Sequence, residues 1–196
     1  ILPSAVYREK DVTSALTEAF GAKLCVSRAE TVLNGVTALT IKIAPRLDAS
    51  FGVSKITKVG SEASGDGYSL VKVDENNFLI ALSDGMGSGD VAEKTTDTAL
   101  NLIESLFKAG MDAEFILSLV NKLLTVSVDD NFSAMDIALV DLQKADTSFI
   151  KIGSPYGFIL SEDGMRFIEG SSLPLGILDE LHPTTAYQTL EKNDVI

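Results

Sequence analysis

Two aspartates, each followed by a glycine, stand at opposite ends of a predicted β-hairpin. Asp66 begins a run of strand-forming residues, a polar turn follows at residues 74–77, and an apolar run over residues 78–82 leads to Asp84. Pairing the residues symmetrically about this turn places the two aspartates opposite each other, to within one residue of register. Opposed residues on antiparallel strands have Cα atoms about 4.5–5.5 Å apart, and like charges at that separation repel. The pair therefore requires a cation or a shared proton.

The glycines beside these aspartates point to a ligand. Gly67 and Gly85 carry no side chain and tolerate unusual backbone angles, so main-chain carbonyls and a phosphate-sized ligand can approach. Oxygen donors in this arrangement suit a hard cation, Mg²⁺ or Mn²⁺. The alternative is that both Asp-Gly pairs only form turns, and that Asp84 ends a strand and caps the next helix. A nucleotide-binding P-loop is disfavoured, because the glycines after Asp84 lack the Gly-Lys-Ser/Thr ending.

The aspartates lie within longer motifs, and further motifs follow them along the chain. Residues 64–69 read Ser-Gly-Asp-Gly-Tyr-Ser, and residues 82–89 read Leu-Ser-Asp-Gly-Met-Gly-Ser-Gly. Both resemble the metal-binding motifs of the bacterial metal-dependent serine/threonine phosphatases related to protein phosphatase 2C. Residues 135–142, 151–154 and 173–177 are similar to later motifs of the sporulation branch of that family, the stage II sporulation protein E phosphatases.

The resemblance begins near residue 48 and implies an α+β fold, an α-β-β-α sandwich of two antiparallel sheets flanked by helices. Residues 48–196 correspond to the phosphatase domain, C-terminally truncated. Residues 1–47 resemble the helix plus β-hairpin that precedes this domain, a small αββ unit with a regulatory or linker role. Pro45, which ends a predicted strand, lies at the expected boundary.

The resemblance also implies a metal-dependent protein serine/threonine phosphatase that uses two Mn²⁺ or Mg²⁺ ions. Asp66 and Asp84 would be the catalytic metal ligands, with Asp84 bridging the ions and the carbonyl of Gly85 completing one coordination shell. Gly67 and Asp136 are lesser candidates, Asp136 as a replacement ligand. Two ions about 3.5–4 Å apart activate a water molecule and hold the phosphoryl oxygens, so no protein residue need be phosphorylated.

Two departures from the family pattern bear on activity. Ser154 stands where animal-type relatives carry an aspartate for a third ion, which favours a two-ion site. The family's next metal aspartates would follow Ile196, so we expect the isolated chain to bind metal weakly and to be weakly active or inactive. An edge strand left unpaired by such a truncation would favour association between chains, so a homodimer is a further expectation.

The substrate implied by the resemblance is the phosphoserine form of an anti-anti-sigma factor, whose dephosphorylation activates a sporulation sigma factor. The chain would then be a cytoplasmic domain of a larger membrane-anchored protein in a spore-forming bacterium. The alternative is a non-catalytic interaction or regulatory domain on the same fold, in which Asp66 and Asp84 are only structural.

Composition limits the remaining functional classes. A chain of 196 residues that is 45% hydrophobic can bury one substantial core. The net charge of −12, with no cluster of Lys and Arg, disfavours nucleic acid and anionic membranes as direct partners. No run of about 18 apolar residues predicts a membrane span. A single cysteine and a single histidine exclude an internal disulfide and a His-rich metal centre; we expect Cys25 in a strand and His182 in a solvent-facing loop.

Hydrophobic periodicity predicts the elements that carry these motifs. Residues 4–20 have helical apolar spacing that ends at Gly21, and the alternation over residues 50–59 predicts a strand. A long helix is predicted over residues 90–109, followed by a second helix that Asp112 caps and that ends near residue 124. The other predicted strands are residues 23–29, 36–44, 134–142, 148–153, 157–160, 165–169 and 186–190.

Overall fold

The computed structural model describes residues 2–3, 8–33, 35–56, 64–88, 90–126 and 132–196. Its contacts divide the chain into two compact units, Ile1–Arg46 and Leu47–Ile196. The regulatory or linker role expected for the first unit stays a prediction. Among the described helices, none combines the length and the apolar character needed to cross a bilayer.

The first unit contains one helix and a small antiparallel sheet. Helix α1 (Glu9–Phe20) ends at Gly21, which adopts the left-handed conformation at φ 68° and donates its N–H to the carbonyl of Thr17. The strands run in the order β1 (Leu2–Pro3), β3 (Val36–Ile43) and β2 (Leu24–Leu33). The predicted hairpin is therefore present, with a longer first strand. Cys25 lies half-buried in β2, as predicted, whereas the first residues of the predicted helix, 4–7, lie outside the described residues.

The second unit is built on a five-stranded antiparallel sheet. Its strands are β4 (Ser64–Lys72), β5 (Asn77–Ser88), β6 (Ser133–Asp141), β7 (Asp146–Ile152) and β10 (Thr184–Thr189), in the spatial order β10-β7-β6-β5-β4. Helices α2 (Asp90–Lys108) and α3 (Ala113–Thr125) follow β5, and β8 (Gly157–Ser161) and β9 (Gly164–Ile168) form a separate two-stranded ribbon. Asp112 caps α3 as predicted, since its carboxylate accepts the N–H of Phe115 at 2.9 Å.

The two faces of the large sheet are covered by different layers, because side chains alternate between faces along each strand. On the face we call the helix face, Leu79, Met135 and Ile152 are fully buried against α2 and α3. On the opposite face, the ribbon face, Ala138 and Phe149 pack against Ile159 and Ile168 of the β8–β9 ribbon. The prediction of antiparallel sheets flanked by helices is confirmed.

Two predictions near the aspartates were wrong: a strand before Asp66 and the end of the strand that carries Asp84. Residues 50–56 form no strand, and Ile56 is 88% exposed; residues 57–59 lie outside the described residues. Alternation alone does not make a strand, because its N–H and C=O groups also need a neighbouring strand. Conversely, β5 continues past residue 82 to Ser88, since Asp84 and Gly85 still find partners in Ala134 and Ser133 of β6.

Candidate functional site

Asp66 and Asp84 are Cα partners on the adjacent strands β4 and β5. The turn between the strands is built by Asp74, whose carboxylate accepts the N–H groups of Asn76 and Asn77 at 2.7 and 2.8 Å. This turn sets the register, and the predicted pairing of the two aspartates is confirmed. Both side chains extend from the ribbon face, opposite the helices.

The two carboxyl groups interact directly. Burial, the negative charge of Asp66 and a hydrogen bond between the two side chains together raise the pKa of Asp84 above its ordinary value. The hydroxyl of Ser64 donates to Oδ2 of Asp66 at 3.1 Å. The arrangement favours a proton or a cation between the two aspartates.

The donor set fits a hard divalent cation. In the part of the chain that the structure describes, no group of three or more His, Cys, Asp or Glu side chains converges on one point. Mg²⁺ is commonly held by one or two carboxylates while it keeps several waters, and it does not require an all-protein cage. Asp66 and Asp84 supply the two carboxylates for a site of that kind; the carbonyl of Gly85 as a further ligand stays a prediction.

At this end of the ribbon face, the side chains that the structure describes are exposed. Tyr68 and Leu82, which are also Cα partners, are 47% and 52% exposed. The β8–β9 ribbon instead covers the part of the sheet around Ala138 and Phe149. Asp66 and Asp84 are themselves exposed among the described residues.

The glycines beside the aspartates serve helix packing, and the approach of a ligand to their backbone stays a prediction. A Cβ atom at Gly67 would lie 2.5 Å from Cγ2 of Thr96 and 2.8 Å from Cδ1 of Leu100, both on α2. A Cβ at Gly85 would collide with the Thr96 hydroxyl oxygen and would lie 3.0 Å from the carbonyl oxygen of Gly65. Neither Gly67 nor Gly85 has a positive φ. Their small size lets α2 rest directly on the backbone behind both aspartates.

Two buried hydroxyls that the sequence analysis missed fix the backbone of the site. Thr96 is 1% exposed and donates to the carbonyl of Gly65 at 2.6 Å. Ser133 is 2% exposed, donates to the carbonyl of Asp84 at 3.1 Å and shares a 2.7 Å hydrogen bond with the hydroxyl of Ser83. The helical row of small residues Ala92, Thr96 and Ala99 was the available signal for a close helix contact.

Asp136 does not join the other two aspartates in a ligand cluster. It lies on β6 opposite Lys151 of β7, and the two side chains form an ion pair. Lys151 is 1% exposed, which its position between apolar residues in the sequence did not indicate. A cation that used Asp136 as a replacement ligand would therefore compete with the buried ammonium of Lys151 for the Asp136 carboxylate.

A second lysine lies on the other side of the site. Lys55 donates to the main-chain carbonyl of Asp66 at 2.8 Å, and its Nζ lies 4.0 Å from Oε1 of Glu93 on α2. His182, by contrast, has an 81% exposed side chain, as predicted for a loop histidine.

Comparisons with known proteins agree with this architecture. The sequence profile of the family described as Stage II sporulation protein E (SpoIIE) matches residues 74–196. The stage II sporulation protein E of Priestia megaterium is 29% identical over 191 residues, which cover 96% of this chain and 33% of the relative. The chain thus spans about a third of that relative's length.

Solved structures are similar over most of the chain. The PP2C phosphatase domain of SpoIIE from Bacillus subtilis, solved with a fragment of its regulatory domain, has a TM-score of 0.72 and 25% identity, covering 98% of this chain and 58% of that one. The structure of RsbX in complex with magnesium has a TM-score of 0.60 and 21% identity, covering 71% of this chain and 67% of that one. The fold is that of a PP2C phosphatase domain. Because the family profile matches more than half of the chain, the chain belongs to the stage II sporulation protein E family.

Proposed function

We propose that residues 47–196 form a metal-dependent protein serine phosphatase domain. The observation that carries the proposal is the opposed pair of Asp66 and Asp84 on the ribbon face. Membership in the stage II sporulation protein E family and the PP2C fold both support this function. The magnesium that RsbX binds supports a hard cation as the cofactor, Mg²⁺ or Mn²⁺.

The described residues have two different roles in such a site, cation binding and support of the backbone. Asp66 and Asp84 bind the cations; when bound, two divalent ions would supply an activated water and would neutralise the charge of the phosphoryl oxygens. Thr96 and Ser133 hold the carbonyls of Gly65 and Asp84, and so keep the two strands in the register that opposes the carboxylates. Burial and then the negative charge of Asp66 raise the pKa of Asp84, and bound cations would offset that negative charge.

The substrate we propose is the phosphoserine form of an anti-anti-sigma factor, with release of a sporulation sigma factor as the result. The support is the family resemblance of the sequence motifs. The same resemblance supports a cytoplasmic position within a larger membrane-anchored protein of a spore-forming bacterium. A homodimer stays an expectation.

The function is tested by Mn²⁺-dependent phosphate release from a phosphoserine protein. We expect release to require Mn²⁺ and to be lost in the Asp66→Asn and Asp84→Asn variants, while Asp163→Asn, in the exposed turn of the β8–β9 ribbon, has no effect. The assay is run on this chain and on a chain extended past residue 196, because the sequence motifs predict further metal ligands there. Absence of Mn²⁺-dependent release from both chains would favour the non-catalytic interaction domain.

A further inference from the structure

Lys151 carries a positive charge into the interior of the ribbon face. Its side chain is 1% exposed, and its ammonium pairs with the carboxylate of Asp136 on the neighbouring strand. Gly170 makes room for it, because a Cβ at Gly170 would collide with the stem of the lysine. Burying an ion pair costs several kcal/mol per ion and is weak evidence for a stabilising role. The placement of this pair therefore suggests a function other than stability.

The partner carboxylate lies on the same face of the sheet as the candidate metal site. In the register of β5 and β6, Leu82 pairs with Asp136 and Asp84 pairs with Ala134. Asp136 is thus the diagonal neighbour of Asp84 on the same face, at a Cα separation typical of about 7–8 Å. Its side chain is 28% exposed, while its Oδ2 is held by Lys151. Because Lys151 already occupies this carboxylate oxygen, contact with a cation through one water is favoured over direct ligation.

We propose that Asp136, oriented by Lys151, is a positioning residue for the cation held by Asp66 and Asp84. Its carboxylate accepts a hydrogen bond from the hydration shell of that cation, and Lys151 acts through Asp136 by fixing the direction of the carboxylate. Mg²⁺ and Mn²⁺ sites retain several waters, and partners that hold the outer shell change metal affinity by about 10–100-fold. The inference rests on the proposed function, because it requires a cation at the aspartate pair.

The test measures Mn²⁺ affinity directly, by electron paramagnetic resonance of free Mn²⁺, together with the melting temperature of the metal-free protein. Asp136→Asn leaves Lys151 buried without its partner and can unfold the protein. The double variant Asp136→Asn with Lys151→Met removes both charges at once and avoids this defect. We expect the double variant to stay folded and to bind Mn²⁺ at least about tenfold more weakly than the parent.

A second ion pair, in which only the aspartate is buried, supplies the control. Asp194, 3% exposed, binds Arg166 at 2.9 Å on the β8–β9 ribbon, so the variant Arg166→Met with Asp194→Asn should lower the melting temperature and leave Mn²⁺ affinity unchanged. If Asp136→Asn with Lys151→Met binds Mn²⁺ as tightly as the parent, the positioning role is overturned and the proposed metal site stands. If the parent does not bind Mn²⁺, or if Asp84→Asn binds it equally well, the metal site and the positioning role both fall.

Discussion

The hydroxyl of Thr96 donates a 2.6 Å hydrogen bond to the carbonyl oxygen of Gly65, directly behind the first of the two opposed aspartates. Helix α2 can approach this closely because Gly67 and Gly85 present no Cβ to it. The two motifs that contain Asp66 and Asp84 thus encode a packing contact on the helix face as well as the opposed carboxylates on the ribbon face. A change at this contact should shift the carboxylates of Asp66 and Asp84, because the same strands carry the contact on one face and the carboxylates on the other.

The contact predicts that Gly67→Ala destabilises the protein. The added methyl group would lie 2.5 Å from Cγ2 of Thr96, and overpacking of this kind costs about 1–3 kcal/mol. Thermal unfolding should show a lower melting temperature, and Thr96→Ser in the same chain should restore part of the loss, because serine lacks the clashing methyl and keeps the hydroxyl. Gly52→Ala is the control, since no atom lies within 4 Å of a Cβ there. An unchanged melting temperature for Gly67→Ala would contradict the close helix contact.

The raised pKa of Asp84 predicts an unusual effect of Asp84→Asn on stability. A carboxyl whose pKa is raised on folding destabilises the folded state once it ionises, so this penalty is present at neutral pH and disappears as pH falls through the raised pKa. We therefore expect metal-free Asp84→Asn to melt about 1–3 °C higher than the parent at pH 7. The difference should shrink in acid.

Mn²⁺ should stabilise the parent protein but not the Asp84→Asn variant. A ligand that binds only the folded state stabilises it by about 2.7 kcal/mol at a concentration of 100 times its Kd. Mn²⁺ should raise the melting temperature of the parent and leave that of Asp84→Asn unchanged. A metal-free Asp84→Asn protein that melts below the parent at pH 7 would show that the aspartate pair is not repulsive.

The hydrogen bonds of Asn121 predict that this residue anchors the loop after β9. Its side chain is 1% exposed on α3, accepts the N–H of Gly176 at 2.9 Å and donates to the carbonyl of Leu178 at 2.8 Å. Asn121→Ala leaves these groups without their partner at a cost of about 1–3 kcal/mol. Hydrogen exchange should then accelerate at Gly176, whereas Asn101→Ala on the exposed side of α2 should leave it unchanged. Equal exchange in the parent and in Asn121→Ala would rule out this anchoring role.

Asp194 predicts part of the acid sensitivity of the second unit. The N–H of Glu191, the hydroxyl of Ser161 and the guanidinium of Arg166 lower the pKa of Asp194, although burial acts in the opposite direction. A lowered pKa contributes stability that is present above the ordinary value near 3.8 and is lost as pH falls through the folded-state pKa.

Asp194→Asn should therefore lower the free energy of unfolding at pH 7, by about 1–3 kcal/mol for a hydrogen-bonded charged group. Its unfolding free energy should also depend less on pH below about pH 4 than that of the parent. Urea unfolding at a series of pH values measures both effects, with Asp163→Asn as the exposed control. Parallel pH profiles for the parent and Asp194→Asn would argue against the bonded carboxylate.

Local patterns predicted much of this fold, because they depend on neighbours in the chain. The turn at Asp74 and the alternation on both sides of it place Asp66 opposite Asp84, and the Asp112 cap marks the start of α3. The strand expected over residues 50–59 failed over its described part, because strand pairing depends on a distant partner. The end of β5 was misplaced for the same reason, since β6 continues the ladder to Gly85.

The sequence by itself determined the opposed aspartates, the helices behind them and the family, because a short turn and a side-chain period of two leave little freedom in register. Only the tertiary structure decided that Thr96 supports the site, that Gly67 serves packing, and that the buried Lys151 holds Asp136. These contacts join residues far apart in the chain. Their energies arise from close packing and from the removal of charge from water, which exist only once the sheets and helices have met.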